Sequence, residues 1–475
     1  MPGSGGADRP IRLGTSGWRG VFGEEFTLPR LRRALRGSAA WFAAAGGGEV
    51  IVAHDTRFLG DRMAGLAAIA LAEAGLAVVF GRGVTATPVA ARAVRRRRAA
   101  GALVLTASHN PAEYHGLKII GPEGGCIGDR EARGLERAIA RASAAPLAGE
   151  SPGATDLRRS YRSELARRLD LDAIARARPR VWYDAMHGAG AGLLDEVLAQ
   201  AGARVQRLRG EADPRFGGHA PDPRPERLRA LSAEVRRARG LRVGLASDGD
   251  ADRFAAVDVD GRVLSETDAL ALLVDHMAAT GRARRGIAIS EATGSLVEKV
   301  AARHGLAVSR HPIGFKHLTR ALAGGDVDLA GEESGGFAWG AFSRDKDGVL
   351  AGALLTERLA LERRPLGEAL AELHAEHGRS ACGRVACAVT EPGQDALERL
   401  RRKPPGRVGG ARVREARDLD GLRLAFDDGF LMLRASGTEP VLRVYGEAPG
   451  PTALRSRLAA GQALLGRGGK PRGSK

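Results

Sequence analysis

Short apolar stretches alternate with longer segments rich in alanine, leucine and arginine through most of the chain. This alternation is typical of strands and helices that follow one another in α/β units. We predict strands at 49–53, 77–80, 102–106, 181–184, 205–208, 243–246, 255–259, 287–290 and 327–330, and helices at 61–73, 88–98, 192–200 and 294–304. The strands at 102–106, 243–246 and 327–330 each lead into a polar, glycine-rich loop. Ligands of α/β sheets bind at the carboxyl ends of strands, so these loops are the predicted sites of chemistry.

The pattern changes after residue 379, where short strands predominate. They are predicted at 384–389, 422–425, 431–434 and 442–445, with a turn at Asp427-Asp428-Gly429 and a last helix at 451–465. Segments rich in proline and small residues at 144–154 and 401–410 are predicted linkers. The sequence therefore predicts about three α/β units followed by a different, smaller C-terminal unit.

The net charge of +17 at first suggests a nucleic-acid-binding protein. The arginines, however, are spread along the chain, and the densest run, at 95–98, contains no interleaved aromatic residue. Aromatic residues make up only 4% of the chain, which leaves few platforms on which bases could stack. We therefore predict no nucleic-acid partner.

The cysteines and the apolar runs indicate where the protein resides. Cys126, Cys382 and Cys387 are too few for a disulfide framework and lack the spacing of metal ligands. No apolar run reaches the roughly 20 residues that a membrane helix needs, and the N-terminal segment does not resemble a secretory signal. These features predict a cytoplasmic protein without a membrane partner.

The segment Thr106-Ala107-Ser108-His109-Asn110-Pro111 follows a predicted strand. It could be a common turn closed by Asn-Pro. It could equally expose Ser108 as a nucleophile, because a serine becomes reactive beside a base or a positive charge, and His109 and Lys118 are near in sequence.

Lysine itself is scarce, since only seven of the 73 basic residues are lysines. Lys118, Lys316 and Lys346 lie in predicted loops rich in glycine or aspartate. An ammonium can release a proton, whereas a guanidinium cannot, so these three lysines are candidates for proton chemistry.

Asp248, Asp250 and Asp252 alternate along a predicted loop, which directs three carboxylates to one side. Their mutual repulsion favours a bound cation, and hard oxygen ligands favour Mg²⁺. An EF-hand is excluded because its sixth position would be Arg253 and its twelfth Val259. A solvated turn without metal is the alternative interpretation.

Two further loops have the residue types of a sugar phosphate site. Gly331-Glu332-Glu333-Ser334-Gly335-Gly336 offers carboxylates that accept hydrogen bonds from sugar hydroxyls. Arg434-Ala435-Ser436-Gly437-Thr438-Glu439-Pro440 combines an arginine, two hydroxyls and backbone N–H groups around a glycine, which suits a phosphate. Either segment alone could also be an ordinary surface turn.

Taken together, these motifs resemble the α-D-phosphohexomutase family, of the phosphoglucomutase/phosphomannomutase type. Gly14-Thr15-Ser16-Gly17-Trp18-Arg19-Gly20 and Pro312-Ile313-Gly314-Phe315-Lys316 add to the resemblance, which spans residues 11 to about 446 in the expected order. His115-Gly116 stands where the family usually has Asn-Gly before the catalytic lysine.

The resemblance implies three related α/β domains and a smaller C-terminal α+β domain around a central cleft. The corresponding boundaries are 1–148 with the phosphoserine loop, 149–258 with the metal loop, 259–375 with the sugar loop and 376–475 with the phosphate loop. A rotation of the last domain about residues 372–380 is expected to close the site.

The resemblance also implies a mechanism in which a phosphoserine gives its phosphoryl group to a hexose monophosphate and recovers the other phosphate from a 1,6-bisphosphate. The implied catalytic residues are Ser108, His109, Lys118 and Arg19; the metal ligands are Ser108, Asp248, Asp250 and Asp252; the substrate-binding residues are Arg253, Lys316, Glu332, Ser334, Arg434, Ser436, Gly437 and Thr438. Mg²⁺ is the implied cofactor, and glucose 1,6-bisphosphate is the implied activator and intermediate. A role for Lys118 as a base requires a depressed pKa.

The Glu-Glu-Ser-Gly-Gly form of the sugar loop is similar to glucose-type enzymes, so we expect a phosphoglucomutase, an isomerase acting on hexose monophosphates. Phosphomannomutase or dual activity is the alternative, because glucose and mannose differ only at C2. A sugar phosphatase that uses the same serine, a bisphosphate synthase and a basic nucleic-acid-binding protein are the other classes considered. The expected oligomeric state is a monomer or a dimer.

Overall fold

The computed structural model describes residues 10–14, 17–436 and 441–466, and these residues form two compact units. Unit 1 contains the described residues up to Leu264, together with Thr319–Gly325 and Ser334–Gly367. Unit 2 contains Ser265–Leu318, Asp326–Glu333 and the described residues from Glu368 onwards. The predicted site residues Gly437 and Thr438 lie outside the described residues.

The secondary structure of the described residues is numbered in chain order. The strands are β1 (Trp18–Val21), β2 (Glu49–His54), β3 (Ala77–Gly81), β4 (Gly101–Leu105), β5 (Tyr114–Ile120), β6 (Ala154–Thr155), β7 (Arg180–Asp184), β8 (Arg204–Leu208), β9 (Arg242–Ser247), β10 (Phe254–Val257), β11 (Gly286–Ser290), β12 (Ala307–His311), β13 (Leu329–Glu332), β14 (Gly336–Trp339), β15 (Ala381–Ala388), β16 (Arg407–Val408), β17 (Ala411–Arg412), β18 (Glu415–Arg417), β19 (Leu422–Phe426), β20 (Gly429–Ala435) and β21 (Val441–Ala448). The helices are α1 (Leu28–Ala44), α2 (Gly60–Glu73), α3 (Thr87–Arg97), α4 (Asp129–Arg141), α5 (Leu157–Ala166), α6 (Leu171–Ala177), α7 (Leu194–Gln200), α8 (Arg229–Arg237), α9 (Glu266–Ala279), α10 (Ser295–Arg303), α11 (Phe315–Gly324), α12 (Gly348–Glu362), α13 (Leu366–His377), α14 (Glu391–Arg402) and α15 (Pro451–Leu464). Short 3₁₀ turns cover Phe216–Gly218 and Pro225–Arg227.

The first sheet of unit 1 has six strands in the order β1-β5-β4-β2-β3-β6. β2 is parallel to β3 and β4, whereas β5 is antiparallel to both β4 and β1. β2 and β4 are buried almost throughout, which explains why β4 and the centre of β2, from Val50 to Ala53, are apolar without alternating polar residues. Helices α1 and α2 contribute Leu31, Leu35, Met63 and Leu71 to the core on this sheet.

The second sheet of unit 1 has the order β10-β9-β7-β8. β7 is parallel to β8 and β9, and β10 is antiparallel to β9. Its core includes Trp182, Leu231, Val235 and Val257. The connection from β9 to β10 consists of residues 248–253, so the predicted metal loop lies at the carboxyl end of β9.

Unit 2 contains a parallel arrangement in which β11 pairs with β12 and β13. An antiparallel sheet of order β15-β21-β20-β19-β18 follows in the C-terminal part. Phe426 pairs with Gly429 across the β19–β20 hairpin, which leaves Asp427-Asp428 as the two turn residues. The predicted α/β architecture with a smaller α+β C-terminal domain is confirmed.

Several local predictions were wrong. The segment around Lys118 was predicted as a loop but is strand β5, because Gly116 interrupts an otherwise apolar and aromatic run. That glycine is required there, since a Cβ atom on it would lie 2.4 Å from the Thr106 carbonyl oxygen. Lys316 is the second residue of α11, and α13 extends to His377, so the predicted hinge at 372–380 begins inside a helix.

No helix in the described part of the chain is long and apolar enough to cross a membrane.

Candidate active site

The loop after β4 holds Ser108 in a restricted position. The residue has a φ of 53°, in the left-handed region that non-glycine residues seldom adopt, and its N–H donates to Thr106 Oγ1 at 2.9 Å. Its hydroxyl donates to Asp248 Oδ2 at 2.7 Å and lies 3.4 Å from His109 Nδ1. Ser108 was expected to be exposed, but only 1% of its surface is accessible, because the Asp248 loop packs directly on it.

The Asp248 loop is held against Ser108 by backbone contacts as well as by this hydrogen bond. A Cβ atom on Gly249 would lie 2.6 Å from the Ser108 carbonyl oxygen, so only glycine permits this approach. The Asp248 carboxylate also accepts the Arg253 N–H through Oδ1 at 3.0 Å, which closes the loop on itself. The sequence alone does not predict this contact, because Ser108 and Gly249 lie in loops that follow strands of different sheets.

The three aspartates form a compact, buried cluster. One carboxylate oxygen from each of Asp248, Asp250 and Asp252 lies within 4.8 Å of the other two, and all three residues are buried. Burial and repulsion from Asp250 and Asp252 raise the pKa of Asp248 well above its ordinary value. The cluster therefore favours an additional positive charge next to Asp248.

Lys118 supplies part of that charge from β5. Its Nζ donates to Asp250 Oδ2 at 2.8 Å and to Asp252 Oδ2 at 2.6 Å, and the side chain is buried. Burial disfavours the ammonium, but attraction to Asp250 and Asp252 is stronger and raises the pKa of Lys118 well above its ordinary value. The depressed pKa that a base role requires is therefore absent in this arrangement, and that expectation is corrected.

The donor set fits a hard divalent cation. Asp250 Oδ1 and Asp252 Oδ1 are buried, and neither receives a hydrogen bond from any described residue. Asp252 has a pKa far below its ordinary value: burial opposes its ionisation, but Lys118, Lys346 and Arg253 outweigh this effect. Ionised carboxylates with uncommitted oxygens are the ligands that Mg²⁺ and similar ions take up. The buried triad is thus suited to hold a metal ion.

Two residues that the sequence did not assign to the site contact this cluster. Thr87, the first residue of α3, donates from Oγ1 to Asp250 Oδ2 at 2.5 Å, and its N–H donates to the Asp250 carbonyl at 3.0 Å. Lys346, one of the three candidate lysines in predicted loops, has its Nζ 3.4 Å from Asp252 Oδ2. The only local signal at Thr87 is the Thr-Pro pair that begins the helix.

Arg19, His109 and Asn110 lie beside Ser108. Arg19 donates from Nη1 to Asn110 Oδ1 at 2.7 Å, which places the Arg19 side chain against the serine loop. Burial, together with repulsion from Arg253 and Arg19, lowers the pKa of His109 well below its ordinary value. The imidazole of His109 is consequently neutral near pH 7 and can accept a hydrogen bond.

Arg253 lies beside the segment that begins at Ser334, and both belong to unit 1. Arg253 forms an antiparallel bridge with Gly336, and the Phe254 N–H donates to the Gly335 carbonyl at 3.4 Å. The segment that begins at Ser334 therefore runs alongside the end of the Asp248–Asp252 loop, as a site containing both Arg253 and Ser334 requires.

The remaining predicted substrate residues that the structure describes belong to unit 2. Glu332 is buried at the end of β13, and its neighbour Glu333 accepts a hydrogen bond from Ser290 Oγ. Burial and repulsion from Glu332 raise the pKa of Glu333. Ser436 ends the described part of its loop and donates from its N–H to the Val441 carbonyl at 2.9 Å.

Asp420 joins Arg434 to the segment that leads to Lys316. Its Oδ2 atom accepts from Arg434 Nε at 2.7 Å and from the Ile313 N–H at 2.8 Å. The structure thus brings together the loop before Lys316 and the arginine predicted to bind phosphate. Asp420 lies in no sequence motif that would have predicted that it connects these two segments.

His115, which stands where the resemblance leads us to expect Asn, is buried on β5. Its ring stacks on Phe26 with 4.8 Å between centroids, and its Nδ1 accepts the Gly116 N–H at 2.9 Å. Burial and the nearby Arg57 lower the pKa of His115 to about 4. The residue is therefore a neutral packing group, and Lys118 keeps its place on β5.

Known proteins of one family match this chain along its length. Models described as phosphoglucomutase/phosphomannomutase match in order, with alpha/beta/alpha domain I at residues 10–145, domain II at 159–261, domain III at 266–377 and the C-terminal domain at 385–463. The phosphoglucomutase/phosphomannomutase of Thermococcus kodakarensis is 31% identical over 473 residues, which cover 95% of this chain and 98% of that relative. The phosphoglucosamine mutase of Symbiobacterium thermophilum is 30% identical over 464 residues, which cover 95% of this chain and 97% of that relative.

A solved structure also has a fold similar to that of this chain. A crystal structure from Thermus thermophilus, assigned as a phosphomannomutase, superposes with a TM-score of 0.86 at 32% identity and covers 96% of this chain and 99% of its own. The four family models match in the order in which the α/β domains and the C-terminal antiparallel sheet follow one another along the chain. The chain belongs to the phosphoglucomutase/phosphomannomutase family, whose members are phosphohexomutases and hence isomerases.

Proposed function

We propose that this protein is a phosphoglucomutase that interconverts glucose 1-phosphate and glucose 6-phosphate through phosphorylated Ser108 and a hexose 1,6-bisphosphate. The observation that supports this proposal is the 2.7 Å hydrogen bond from Ser108 Oγ to Asp248 within a buried carboxylate triad. A hydroxyl at the edge of a metal-binding cluster has the position that reversible phosphorylation requires.

Asp248, Asp250 and Asp252, with an oxygen of the phosphorylated serine, are the proposed Mg²⁺ ligands. When bound, Mg²⁺ neutralises charge on the transferring phosphoryl group. Lys118 holds Asp250 and Asp252 in place from β5 and, as an ammonium, is the proposed proton donor. The neutral imidazole of His109, beside Ser108, is the proposed acceptor of the proton of the attacking hydroxyl. Arg19 and Arg253 add positive charge on the serine side of the triad.

The proposed substrate contacts follow the family resemblance. Glu332 and Ser334 hold sugar hydroxyls, Arg434, Ser436, Gly437 and Thr438 hold the phosphate that does not react, and Lys316 adds a further contact. The domain boundaries at 148, 258 and 375, a cytoplasmic location and a monomeric or dimeric state remain predictions of the same proposal.

Three hexose phosphates are candidate substrates. The Glu-Glu-Ser-Gly-Gly loop supports glucose, and phosphomannomutase activity is the first alternative because mannose differs only at C2. A phosphoglucosamine mutase is a second candidate, since the relative from Symbiobacterium thermophilum carries that name.

A coupled assay tests the proposal directly. Glucose 1-phosphate, mannose 1-phosphate and glucosamine 1-phosphate are supplied in parallel with Mg²⁺ and a trace of the matching 1,6-bisphosphate, and each 6-phosphate is measured. We expect the highest kcat/KM for glucose 1-phosphate and loss of activity without Mg²⁺. A preference for glucosamine 1-phosphate would replace the proposed substrate.

Two measurements on the same samples separate the other reaction classes. Steady release of inorganic phosphate would identify a phosphatase, whereas a mutase releases almost none. Net accumulation of hexose 1,6-bisphosphate would identify a bisphosphate synthase.

A further inference from the structure

The guanidinium of Arg57, between β2 and α2, binds the backbone of the Ser108 loop at four points. Only 3% of this residue is accessible to solvent. Nη2 donates to the carbonyls of Ser108 at 2.8 Å and Asn110 at 2.6 Å, and Nη1 donates to those of Pro111 at 2.7 Å and Tyr114 at 2.8 Å. One side chain thus donates to four backbone carbonyls between Ser108 and the first residue of β5.

The guanidinium is itself held on two sides. Arg57 Nε forms an ion pair with Asp55 Oδ2 at 3.2 Å, and the Arg57 N–H donates to Asp55 Oδ1 at 3.0 Å. The ring of Phe216 packs against the guanidinium, with 4.9 Å from the Arg57 Cζ atom to the ring centroid. With its charge paired and one face covered, the Arg57 side chain has little freedom to move.

Asp55 extends the same arrangement to the amide of the serine. Its Oδ2 atom accepts from Thr106 Oγ1 at 2.6 Å, and Thr106 Oγ1 accepts the Ser108 N–H at 2.9 Å. The backbone of Ser108 is therefore bound at its N–H through Asp55 and Thr106 and at its carbonyl directly by Arg57.

These contacts matter because the conformation they hold is unfavourable on its own. A left-handed φ at a non-glycine residue persists only where its surroundings enforce it, and here φ is 53° at Ser108. Buried carbonyls without donors are also costly, so the loop would rearrange if the guanidinium were removed. A rearrangement would move Ser108 Oγ away from Asp248.

We propose that Arg57 is a positioning residue for phosphoryl transfer, one that fixes the loop from Ser108 to Tyr114 so that the serine oxygen stays beside the carboxylate triad. The inference rests on the proposed function, because it assigns Arg57 a role through Ser108. Lysine cannot take over this role: its single ammonium carries three protons and lacks the planar fork that reaches four carbonyls.

The test compares Arg57→Lys with the matched control Arg242→Lys. Arg242 also donates to backbone carbonyls, those of Val235, Gly240 and Val259, but at the far end of β9. For Arg57→Lys we expect kcat to fall by about 100-fold while KM changes by less than about twofold, since misplacement of a reacting group by about 1 Å has this effect. For Arg242→Lys we expect the kcat of the wild-type protein.

Hydrogen exchange gives a second readout that needs no substrate. Amide exchange in a peptide covering residues 105–114 should accelerate at least about tenfold in Arg57→Lys and stay unchanged in Arg242→Lys. If the wild-type protein turns over no hexose phosphate, the proposed function fails, whereas the exchange result still decides whether Arg57 orders this loop.

Phe216→Leu covers the case in which Arg57→Lys does not fold, since it loosens the guanidinium and keeps every hydrogen-bond donor. We expect a several-fold loss of kcat and faster exchange in the same peptide. Wild-type kcat and exchange in the folded variants would overturn the proposal. An equal loss of kcat in Arg242→Lys would also overturn it, because the effect would then be general destabilisation.

Discussion

Ser108 Oγ donates a 2.7 Å hydrogen bond to Asp248 Oδ2, although the two residues are 140 positions apart and lie in loops from different sheets. Both residues are buried, so this hydrogen bond is shielded from solvent. The Ser108 oxygen therefore lies directly beside the three clustered carboxylates.

Replacing Ser108 with alanine should abolish sustained turnover, with a loss of at least about a thousandfold, because the phosphoryl acceptor is removed. Coupled assay of hexose 6-phosphate measures the loss, and intact mass measures whether a phosphoryl group is still incorporated. Ser38→Ala is the matched control, since Ser38 is equally buried and donates only to the Ala34 carbonyl in α1. Normal activity of Ser108→Ala would exclude the phosphoserine mechanism.

Asp250→Asn removes one charge from the triad but keeps a side chain that can contact Lys118 and Thr87. We expect the Mg²⁺ concentration for half-maximal activity to rise by at least about tenfold and kcat to fall. Activity measured over a Mg²⁺ titration checks both. Asp260→Asn serves as the control, because Asp260 is exposed in the turn after β10. An unchanged Mg²⁺ response would contradict the assignment of Asp250 as a ligand.

Lys118→Met leaves the carboxylates of Asp250 and Asp252 buried without their ammonium partner. We expect the free energy of unfolding in the absence of metal to fall by about 3–5 kcal/mol. Added Mg²⁺ should raise the melting temperature of this variant more than that of the wild-type protein, because the cation then supplies the missing charge. Thermal unfolding with and without Mg²⁺ measures this, with the exposed Lys299→Met as control. Equal Mg²⁺ effects on both variants would show that Lys118 and the cation do not share these carboxylates.

Gly249→Ala tests the approach of the two loops. The added methyl group would meet the Ser108 carbonyl oxygen at 2.6 Å, and a backbone atom cannot move aside cheaply. We expect destabilisation by about 1–3 kcal/mol and a loss of activity. Gly65→Ala is the control, because Gly65 lies within α2 and its nearest neighbour for a new Cβ is 4.0 Å away, so this change should be neutral or stabilising. Wild-type activity of Gly249→Ala would mean that the loop spacing is not critical.

Asp347 makes the stability of the protein depend on pH. Burial raises the pKa of Asp347 to about 7 from its ordinary 3.8, although the residue accepts hydrogen bonds from Tyr161 and the Leu350 N–H. The folded protein therefore binds this proton more tightly than the unfolded chain, and the free energy of unfolding falls as pH rises from about 4 to 7.

Asp347→Asn removes that titration and keeps the acceptor oxygen that begins α12. Denaturant unfolding at pH 5 and pH 8 should show a smaller difference between the two pH values in the variant than in the wild-type protein. An identical difference in both proteins would assign the pH dependence to other groups.

The sequence predicted the architecture well because apolar periodicity and glycine-rich loops are local signals. It predicted the residues of the aspartate triad for the same reason, since their spacing can be read within five positions. The burial of Ser108 was missed because it depends on Gly249, a residue of another sheet.

The role of Lys118 shows the same limit more clearly. Its loop-like sequence around Gly116 hid strand β5, and its raised pKa comes from two carboxylates more than a hundred positions away. The contacts of Arg57 could not be predicted from the sequence, because an arginine after a strand is common and its four acceptors lie in a loop distant in sequence. Local pattern therefore identifies the loops, whereas the charge balance of the site comes from the tertiary structure.

The ion pairs of Lys118 also have a consequence for folding. The ammonium belongs to the first sheet, and both carboxylates belong to the loop of the second sheet. Neither sheet alone can therefore bury these charges with an opposite charge beside them. A fragment ending before β7 would contain a lysine without its anions, and a fragment beginning there would contain three crowded carboxylates. Unit 1 should consequently unfold in one cooperative transition, in which the buried aspartate cluster is lost together with the association of its two sheets.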